Sequence, residues 1–176
     1  MRTEQIEEYA IDPSTAEHIR QLLQESFPAY PDGRTYFRQV PSFRYLVWDG
    51  SVLAAQMGVD FRVMNNAGQL IRTFGIVDLC VRAEYRHRGI GADLLDQLEE
   101  LARQHRIDFL VLWARDRTFY QKKGFVEVNN PCKWLLIQSS ESHGIVHRRF
   151  GEGLMVLRLG SKNWRSGTLD YLGHIF

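Results

Sequence analysis

The stretch "EYRHRGIGADLL", Glu84 to Leu95, places three consecutive basic side chains before two glycines and the start of a leucine-rich segment. From Gly89 onward, apolar residues recur at helical spacing with charged residues opposite them, which predicts an amphipathic helix. The first amide groups of a helix lack intrahelical acceptors, and the helix dipole also favours an anion there. Glycines let a phosphate approach the backbone, and Arg86 and Arg88 add charged donors. The turn therefore suits a pyrophosphate.

The Arg-x-x-Gly-x-Gly spacing alone also fits an ordinary strand–helix turn whose arginines face water. A Rossmann dinucleotide site fits poorly, because its glycine turn follows the first strand of a βαβ unit. Here the turn follows residues 43–81, which contain apolar runs separated by Asp49-Gly50 and by a second turn at residues 65–68 and predict three successive strands. A Walker A loop is excluded because no Gly-Lys-Ser/Thr follows the glycines.

The flanking segments complete the predicted order of elements. Residues 4–11 alternate like a first strand, and a helix follows with Pro13 in its first turn and capping-box spacing between Ser14 and Glu17. After the central helix come a buried strand "DFLVLWA", a short helix "RDRTFYQKKG" ending at Gly124, and a strand "FVEV" that continues into "KWLLIQ". Residues 139–152 are expected to form an exposed loop, "GLMVLRLG" a late strand, and the aromatic tail a packed segment.

This order predicts an α/β protein of the α+β type, with a mixed, largely antiparallel central sheet of about seven strands flanked by helices. The 176 residues are enough for one domain with its own core, and the sequence has no internal repeat or linker. The net charge of +1 and the local character of the basic cluster disfavour nucleic acid. No apolar run is long enough for a bilayer, so we expect no membrane partner and a cytoplasmic location. Cys80 and Cys132 have no metal-type spacing, so no metal is expected and both should be buried.

The chain resembles the GNAT superfamily of acyl-CoA-dependent N-acetyltransferases in an ordered set of motifs. The strand "VDLCV" precedes "RAEYRHRGIGADLL", and "FYQKKGF" follows about 30 residues later. The resemblance implies a GNAT-like single acetyltransferase domain over residues 1–176, acetyl-CoA as cosubstrate, a backbone cradle for its pyrophosphate and a strand that pairs with pantetheine. The implied cofactor-binding residues are Leu79, Cys80, Val81, Arg86, His87, Arg88, Gly89, Ile90, Gly91 and Ala92.

A narrower resemblance links "GIVDLCV", "ARDRTFYQKKGF" and "NWRSGTLD" to the aminoglycoside 2'-N-acetyltransferases. It implies that Asp78 acts as base through a bridging water, and that Trp164 and Asp170 lie near the acceptor. Glu84 is the alternative base. The aromatic residues Tyr30 and Tyr36 either line the acceptor pocket or pack in the core.

Acyl transfer to an amine requires a base for the amine proton and an acid for the departing thiolate. Asp78 interrupts an apolar strand and is the candidate base, with local structural pairing as the other interpretation. Tyr120 is the candidate acid, because a phenol is normally protonated at neutral pH. Cys80 is more typical of a buried residue than of an acyl carrier, so we expect direct attack in a ternary complex.

The expected acceptor is a primary amine of a small molecule. The loop at residues 26–40 carries Arg34 and Arg38 against a single acid, Asp32, which makes it a poor partner for a polycation such as an aminoglycoside. Two alternatives stay open: a non-catalytic acyl-CoA-binding regulatory module, and a protein or peptide N-acetyltransferase. A homodimer is also compatible with the sequence.

Overall fold

The computed structural model describes all residues, Met1–Phe176. It contains ten strands, three α-helices and two short 3₁₀ turns, at Glu8–Ala10 and Ala83–Tyr85. The helices are α1 (Pro13–Ser26), α2 (Ile90–Gln104) and α3 (Arg117–Gln121). The strands are β1 (Arg2–Glu7), β2 (Phe43–Asp49), β3 (Val52–Asn66), β4 (Gln69–Val81), β5 (Phe109–Trp113), β6 (Val126–Glu127), β7 (Pro131–Gln138), β8 (Glu141–Arg149), β9 (Leu154–Arg158) and β10 (Leu169–His174). No helix combines the length and the apolar character needed to cross a bilayer.

The predicted fold class is confirmed, although the sheet has ten strands where about seven were expected. Pairing is antiparallel for β1/β2, β2/β3, β3/β10, β5/β9, β6/β9 and β7/β8, and parallel for β7/β10. The chain divides into two compact units. The first comprises Met1–Asp60 and Ile76–Gln97, and the second comprises Phe61–Gly75 and Leu98–Phe176. The assignment of residues 1–176 to one functional domain stays a prediction.

In the first unit, α1 begins at Pro13, as predicted, but the cap is Asp12 and not Ser14. The Asp12 carboxylate accepts hydrogen bonds from the amides of Ser14 and Thr15 at 2.9 and 3.1 Å. Pro13 suits the first helical position, because it has no N–H to leave unpaired and its φ is already helical. The apolar face of α1 is fully buried and packs with side chains of β2, β3 and β4. The buried cluster that they form comprises Ile19, Leu22, Leu23, Tyr30, Leu46, Leu53 and Cys80.

The predicted tight turns are confirmed. Gly50 has a φ of +59° between β2 and β3, and Gly68 has a φ of +83° between β3 and β4. The Asn65 side chain accepts a hydrogen bond from the Gly68 amide at 2.7 Å and closes the second turn. These turns produce the run of strands that leads into α2.

Along the sheet the strand order is β6-β9-β5-β4-β3-β10-β7-β8. The tail packs down as expected, because β10 lies between β3 and β7 and buries Leu169 and Tyr171. Two expectations were wrong. Residues 139–152 are not a loop, since Glu141–Arg149 forms the edge strand β8. "FVEV" and "KWLLIQ" do not form one strand, since β6 pairs with β9 while β7 pairs with β8 and β10.

Candidate active site

The turn before α2 lies in the first unit and has the backbone that the glycine pattern requires. Gly89 has a φ of +84°, and a Cβ there would meet no atom within 4 Å, so conformation and not space requires the glycine. His87 also has a positive φ, +61°. Because α2 begins at Ile90, the amide groups of its first turn have no intrahelical acceptors and can face an anion.

The two arginines of this turn, Arg86 and Arg88, are exposed, and each donates a hydrogen bond to a backbone carbonyl of the preceding segment. Arg86 donates through Nε to the Val81 carbonyl at 3.0 Å, and Arg88 donates to the Glu84 carbonyl at 2.8 Å. The Arg88 guanidinium also lies over the Tyr85 ring at 5.2 Å. A guanidinium has five N–H donors, so each arginine keeps donors that a phosphate can use. His87 and Glu84 are exposed, Ile90 is buried, and Gly91 and Ala92 are half-buried.

Strand β4 changes character at Asp78. Its side chains are buried from residue 73 to residue 76, and the three that follow are half-buried. Asp78 has a φ of +53°, a left-handed conformation that interrupts the regular strand and that Asp and Asn adopt more readily than most residues. The segment expected to contact pantetheine, Leu79 to Val81, directly follows this break; Leu79 and Val81 are half-buried and Cys80 is buried.

The structure brings Asp78 and Tyr30 together. The Tyr30 hydroxyl donates a hydrogen bond of 2.6 Å to Asp78 Oδ2. Burial raises the pKa of Asp78 above its usual value of 3.8, although the Tyr30 hydrogen bond and the charges of Arg44 and Arg38 oppose the rise. Burial, together with the Asp78 charge, also raises the pKa of Tyr30, so its hydroxyl stays protonated and donates. The site thus holds a carboxylate whose basicity exceeds that of an ordinary Asp.

A buried network behind Asp78 was missed from the sequence. Arg44, in β2, has no exposed surface and pairs with Glu8 at 2.7 Å. It also donates to the Thr35 carbonyl at 2.6 Å and to Gln56 Oε1 at 2.8 Å. The Gln56 side-chain amide in turn donates to the Asp78 carbonyl. The only sequence signal was a charged residue inside the apolar strand "FRYLVWD", and nothing in the sequence identified its partners.

The loop between α1 and β2 brings aromatic rings to Tyr30. The Phe27 and Phe37 rings lie 6.0 and 5.9 Å from the Tyr30 ring, between centroids. Phe37 is 46% exposed, and the guanidinium of Arg38 lies over its ring at 5.1 Å. Tyr36 is half-buried beneath Arg34, at 5.6 Å. The role of Tyr30 and Tyr36 in acceptor binding stays a prediction, and Tyr30 is also a core residue with 7% exposure.

Tyr120 lies in the second unit, near the end of α3. Asp116 caps this short helix through the Thr118 amide at 3.0 Å. The Tyr120 ring is half-buried and contacts the rings of Phe119 and Phe125 at 5.0 and 5.7 Å. Gly124, with a φ of +83°, ends the turn as predicted, and the Phe125 amide returns to the Tyr120 carbonyl at 3.1 Å. The motif "FYQKKGF" thus fixes the backbone and ring of Tyr120.

The second unit also holds Trp164 and Asp170, and both already have partners there. The Trp164 ring packs against Phe109 at 5.1 Å, and its N–H donates to Asn130 Oδ1 at 2.8 Å. Asp170 pairs with Lys133 at 2.7 Å, and its pKa is lowered because hydrogen bonds from Lys133 and the Leu172 amide outweigh its desolvation. Contact of either residue with an acceptor stays a prediction.

The two cysteines are buried and unpaired, as predicted. Burial raises the pKa of Cys80 to about 11, so its thiol is protonated at neutral pH and unsuited to carry an acyl group. No cluster of three or more His, Cys, Asp or Glu side chains is arranged to hold a metal ion.

Known proteins share both the sequence pattern and the fold. A family model described as "Acetyltransferase (GNAT) domain" matches residues 10–128. Among solved structures, the GNAT family N-acetyltransferase YhbS from Escherichia coli, in complex with CoA, has 16% identity and a TM-score of 0.63, over 97% of this chain and 88% of that one. An aminoglycoside 6'-N-acetyltransferase complexed with coenzyme A has 15% identity and a TM-score of 0.62, over 93% and 99%.

A GCN5-related N-acetyltransferase from Anabaena variabilis has 15% identity and a TM-score of 0.59 over 72% of this chain. Our chain spans only 32% of the length of that protein. At such identities these structures support the fold alone. The family model, which covers more than half of the residues, goes further: the chain belongs to the GNAT family of acetyltransferases.

Proposed function

We propose that this chain transfers the acetyl group of acetyl-CoA to a primary amine of a small molecule that does not carry several positive charges. The observation that carries the proposal is the Asp78 carboxyl group, which is held by Tyr30 at 2.6 Å and whose pKa burial raises. A general base works best when its pKa approaches the working pH, and burial is the usual means of raising that of a carboxyl group. The proposal assigns the activity to residues 1–176 as one acetyltransferase domain.

The reaction proceeds by direct attack in a ternary complex. Asp78 accepts a proton from the ammonium group, directly or through one water, and leaves a nucleophilic amine. The amine nitrogen attacks the thioester carbonyl, the new C–N bond forms, and the C–S bond breaks. Tyr120 donates its phenolic proton to the departing CoA thiolate, and the second proton that the attacking nitrogen loses as the amide forms restores the phenol. The proton gained by Asp78 returns to solvent. Cys80 takes no covalent part, because its raised pKa keeps it a thiol.

Acetyl-CoA is held by backbone groups more than by side chains. The amides at the start of α2 and the positive φ of Gly89 supply a cradle for the pyrophosphate, and the spare donors of Arg86 and Arg88 add charge. The half-buried part of β4 after Asp78 offers backbone groups to pantetheine. Tight CoA binding is therefore expected even where the acceptor is absent.

The test compares the two candidate bases. We expect Asp78→Asn to lower kcat by about a hundredfold or more while leaving CoA affinity unchanged, measured by thiol release from acetyl-CoA and by calorimetry. Asn tolerates the left-handed backbone, so the variant should fold. Glu84→Gln is the matched control, since Glu84 is exposed in the 3₁₀ turn, and it should keep near wild-type activity. A loss confined to Glu84→Gln would refute the assignment of Asp78.

The competing function is a regulatory module that binds acyl-CoA without turnover. Tight CoA binding with no thiol release, across a panel of small amines and amino-terminal peptides, would favour it. Turnover with peptides alone would instead favour a peptide N-acetyltransferase.

A further inference from the structure

Arg38 is a half-buried cation that makes no hydrogen bond or ion pair, although the charge of Asp78 acts on it. Its guanidinium lies over the Phe37 ring at 5.1 Å. Charged side chains that leave water are normally paired, because desolvation of an unpaired charge is costly. Burial indeed lowers the pKa of Arg38, against the opposing charge of Asp78. Its five N–H donors are available to a ligand.

Two other arginines of the first unit that leave water have a carboxylate partner. Arg44 pairs with Glu8 at 2.7 Å, and Arg82 pairs with Glu25 at 2.7 Å. Arg44 is fully buried and Arg82 is half-buried, and each is paired with a carboxylate of the chain. Ion pairs within the chain therefore compensate the charges of Arg44 and Arg82, whereas the charge of Arg38 has no ion pair.

The position of Arg38 links it to the candidate base. Its guanidinium stacks on Phe37, the Phe37 ring meets Tyr30 edge-on at 5.9 Å, and the Tyr30 hydroxyl bonds to Asp78. Arg38 is also one of the two cations whose charge acts on Asp78. An acceptor whose amine reaches Asp78 therefore meets one negative and one unpaired positive group.

We propose that the acceptor carries an anionic oxygen group, a carboxylate or a phosphate, that pairs with Arg38 while its amine lies at Asp78. This inference rests on the proposed function and names its substrate class. A guanidinium matches such groups through two parallel hydrogen bonds, and the pair would replace the water that Arg38 has lost. The exposed Phe37 ring would then border the remainder of the acceptor. An amine with several positive charges would be repelled by Arg38.

The experiment compares amines that differ only in the anionic group. The pairs are L-phenylalanine with 2-phenylethylamine, glycine with methylamine, and phosphoethanolamine with ethanolamine. Acetyl transfer is followed by thiol release, and kcat/KM is measured for both members of each pair. For the wild-type protein we expect the anionic member of at least one pair to be preferred by about ten- to hundredfold, as for a hydrogen-bonded charge pair. The pair that shows it distinguishes carboxylate from phosphate.

Arg38→Met should abolish this preference, leaving the two members of the pair within about twofold, while the Kd for CoA stays unchanged. Arg34→Met is the matched control, because it removes the same charge from the same loop and should keep the preference. The ratio within a pair is insensitive to any uniform effect of the Arg38 charge on Asp78. Arg38→Lys should retain part of the preference, because charge remains but the planar fork does not.

Three results would overturn the inference: equal or better use of the neutral-tailed amines by the wild-type protein, an unchanged preference in Arg38→Met, or a loss of CoA affinity in that variant. The last would assign Arg38 to the cosubstrate. These outcomes differ from failure of the proposed function itself, in which no amine in any pair releases thiol.

Discussion

The hydrogen bond from Tyr30 to Asp78 should make the effect of Tyr30→Phe depend on pH. The substitution keeps the ring, and with it the contacts to Phe27 and Phe37, and removes only the hydroxyl that donates to Asp78 at 2.6 Å. A hydrogen bond to a charged group contributes about 1.5–3 kcal/mol, and one between neutral groups about 0.5–1.5 kcal/mol. The cost of the substitution should therefore be larger where Asp78 is ionised.

The raised pKa of Asp78 makes the free energy of unfolding depend on pH. The folded pKa of Asp78 lies above its usual value of 3.8, so the folded state holds the proton more tightly, and stability decreases as pH rises from about 3.8 through the folded pKa. Without the Tyr30 hydroxyl the pKa of Asp78 rises further, since that hydrogen bond favours the carboxylate. The variant should therefore lose more stability than the wild-type protein between pH 4 and pH 8, by about 1 kcal/mol or more.

Urea unfolding of both proteins at pH 4 and at pH 8 measures this difference, and the acid limb of the kcat/KM profile should move to higher pH in the variant. Tyr45→Phe is the matched control. Tyr45 is a buried tyrosine of the same unit, at 5% exposure, whose pKa is raised by burial alone. Its substitution should cost the same at both pH values. An equal cost for Tyr30→Phe at pH 4 and pH 8, with an unmoved acid limb, would refute the coupling of Tyr30 to Asp78.

The remaining predictions concern the buried network, the acid and the turn. Arg44→Met should lower the free energy of unfolding by about 3–5 kcal/mol in urea titrations, because the Glu8 carboxylate, 12% exposed, would lose its partner. A change under 1 kcal/mol would show that water solvates Glu8 in the variant. Tyr120→Phe should lower kcat without changing the Kd for CoA, and an unchanged kcat would remove its role as acid. Gly89→Ala and Gly68→Ala should each cost about 1–2 kcal/mol of stability, because both glycines have φ near +84°, but only Gly89→Ala should weaken CoA binding in calorimetry.

Local patterns predicted the elements whose signals lie within a few residues. The apolar repeat after Gly89 predicted α2, and the glycines at 50 and 68 predicted two hairpin turns, because helical spacing and a positive φ are local requirements. Strand β8 was missed because it is exposed along its length, with only Val146 half-buried, and so lacks the alternation of a strand with one buried face. Its structure comes from pairing with β7, which no short segment encodes.

The sequence allowed us to pick out the candidate site residues, but not the contacts that they make with one another. Asp78 stood out as an acid in an apolar strand, and the glycine turn stood out by spacing. The hydrogen bond between Tyr30 and Asp78 joins residues 48 positions apart, and the pair of Arg44 and Glu8 joins residues 36 apart. Such contacts depend on how α1 and its following loop pack on the strands, so the sequence alone could name the candidate base but not what raises its pKa.

The two arginines near Asp78 carry the same charge but differ in what neutralises it, and this difference separates their roles. Arg44 donates hydrogen bonds to Glu8, Gln56 and the Thr35 carbonyl, and Glu8 compensates its charge. Through Gln56, which donates to the Asp78 carbonyl, Arg44 helps to position the backbone of Asp78. Arg38 makes no ion pair, and its charge acts on Asp78. In our proposal that charge also attracts the anionic group of the acceptor. Burial must therefore outweigh both cations to keep Asp78 basic, and pairing of Arg38 with an anionic acceptor would remove one of them. With Asp78 as the proposed base and an anionic acceptor as inferred above, binding of the acceptor would increase the basicity of the group that deprotonates it, which an acceptor without an anionic group would not do.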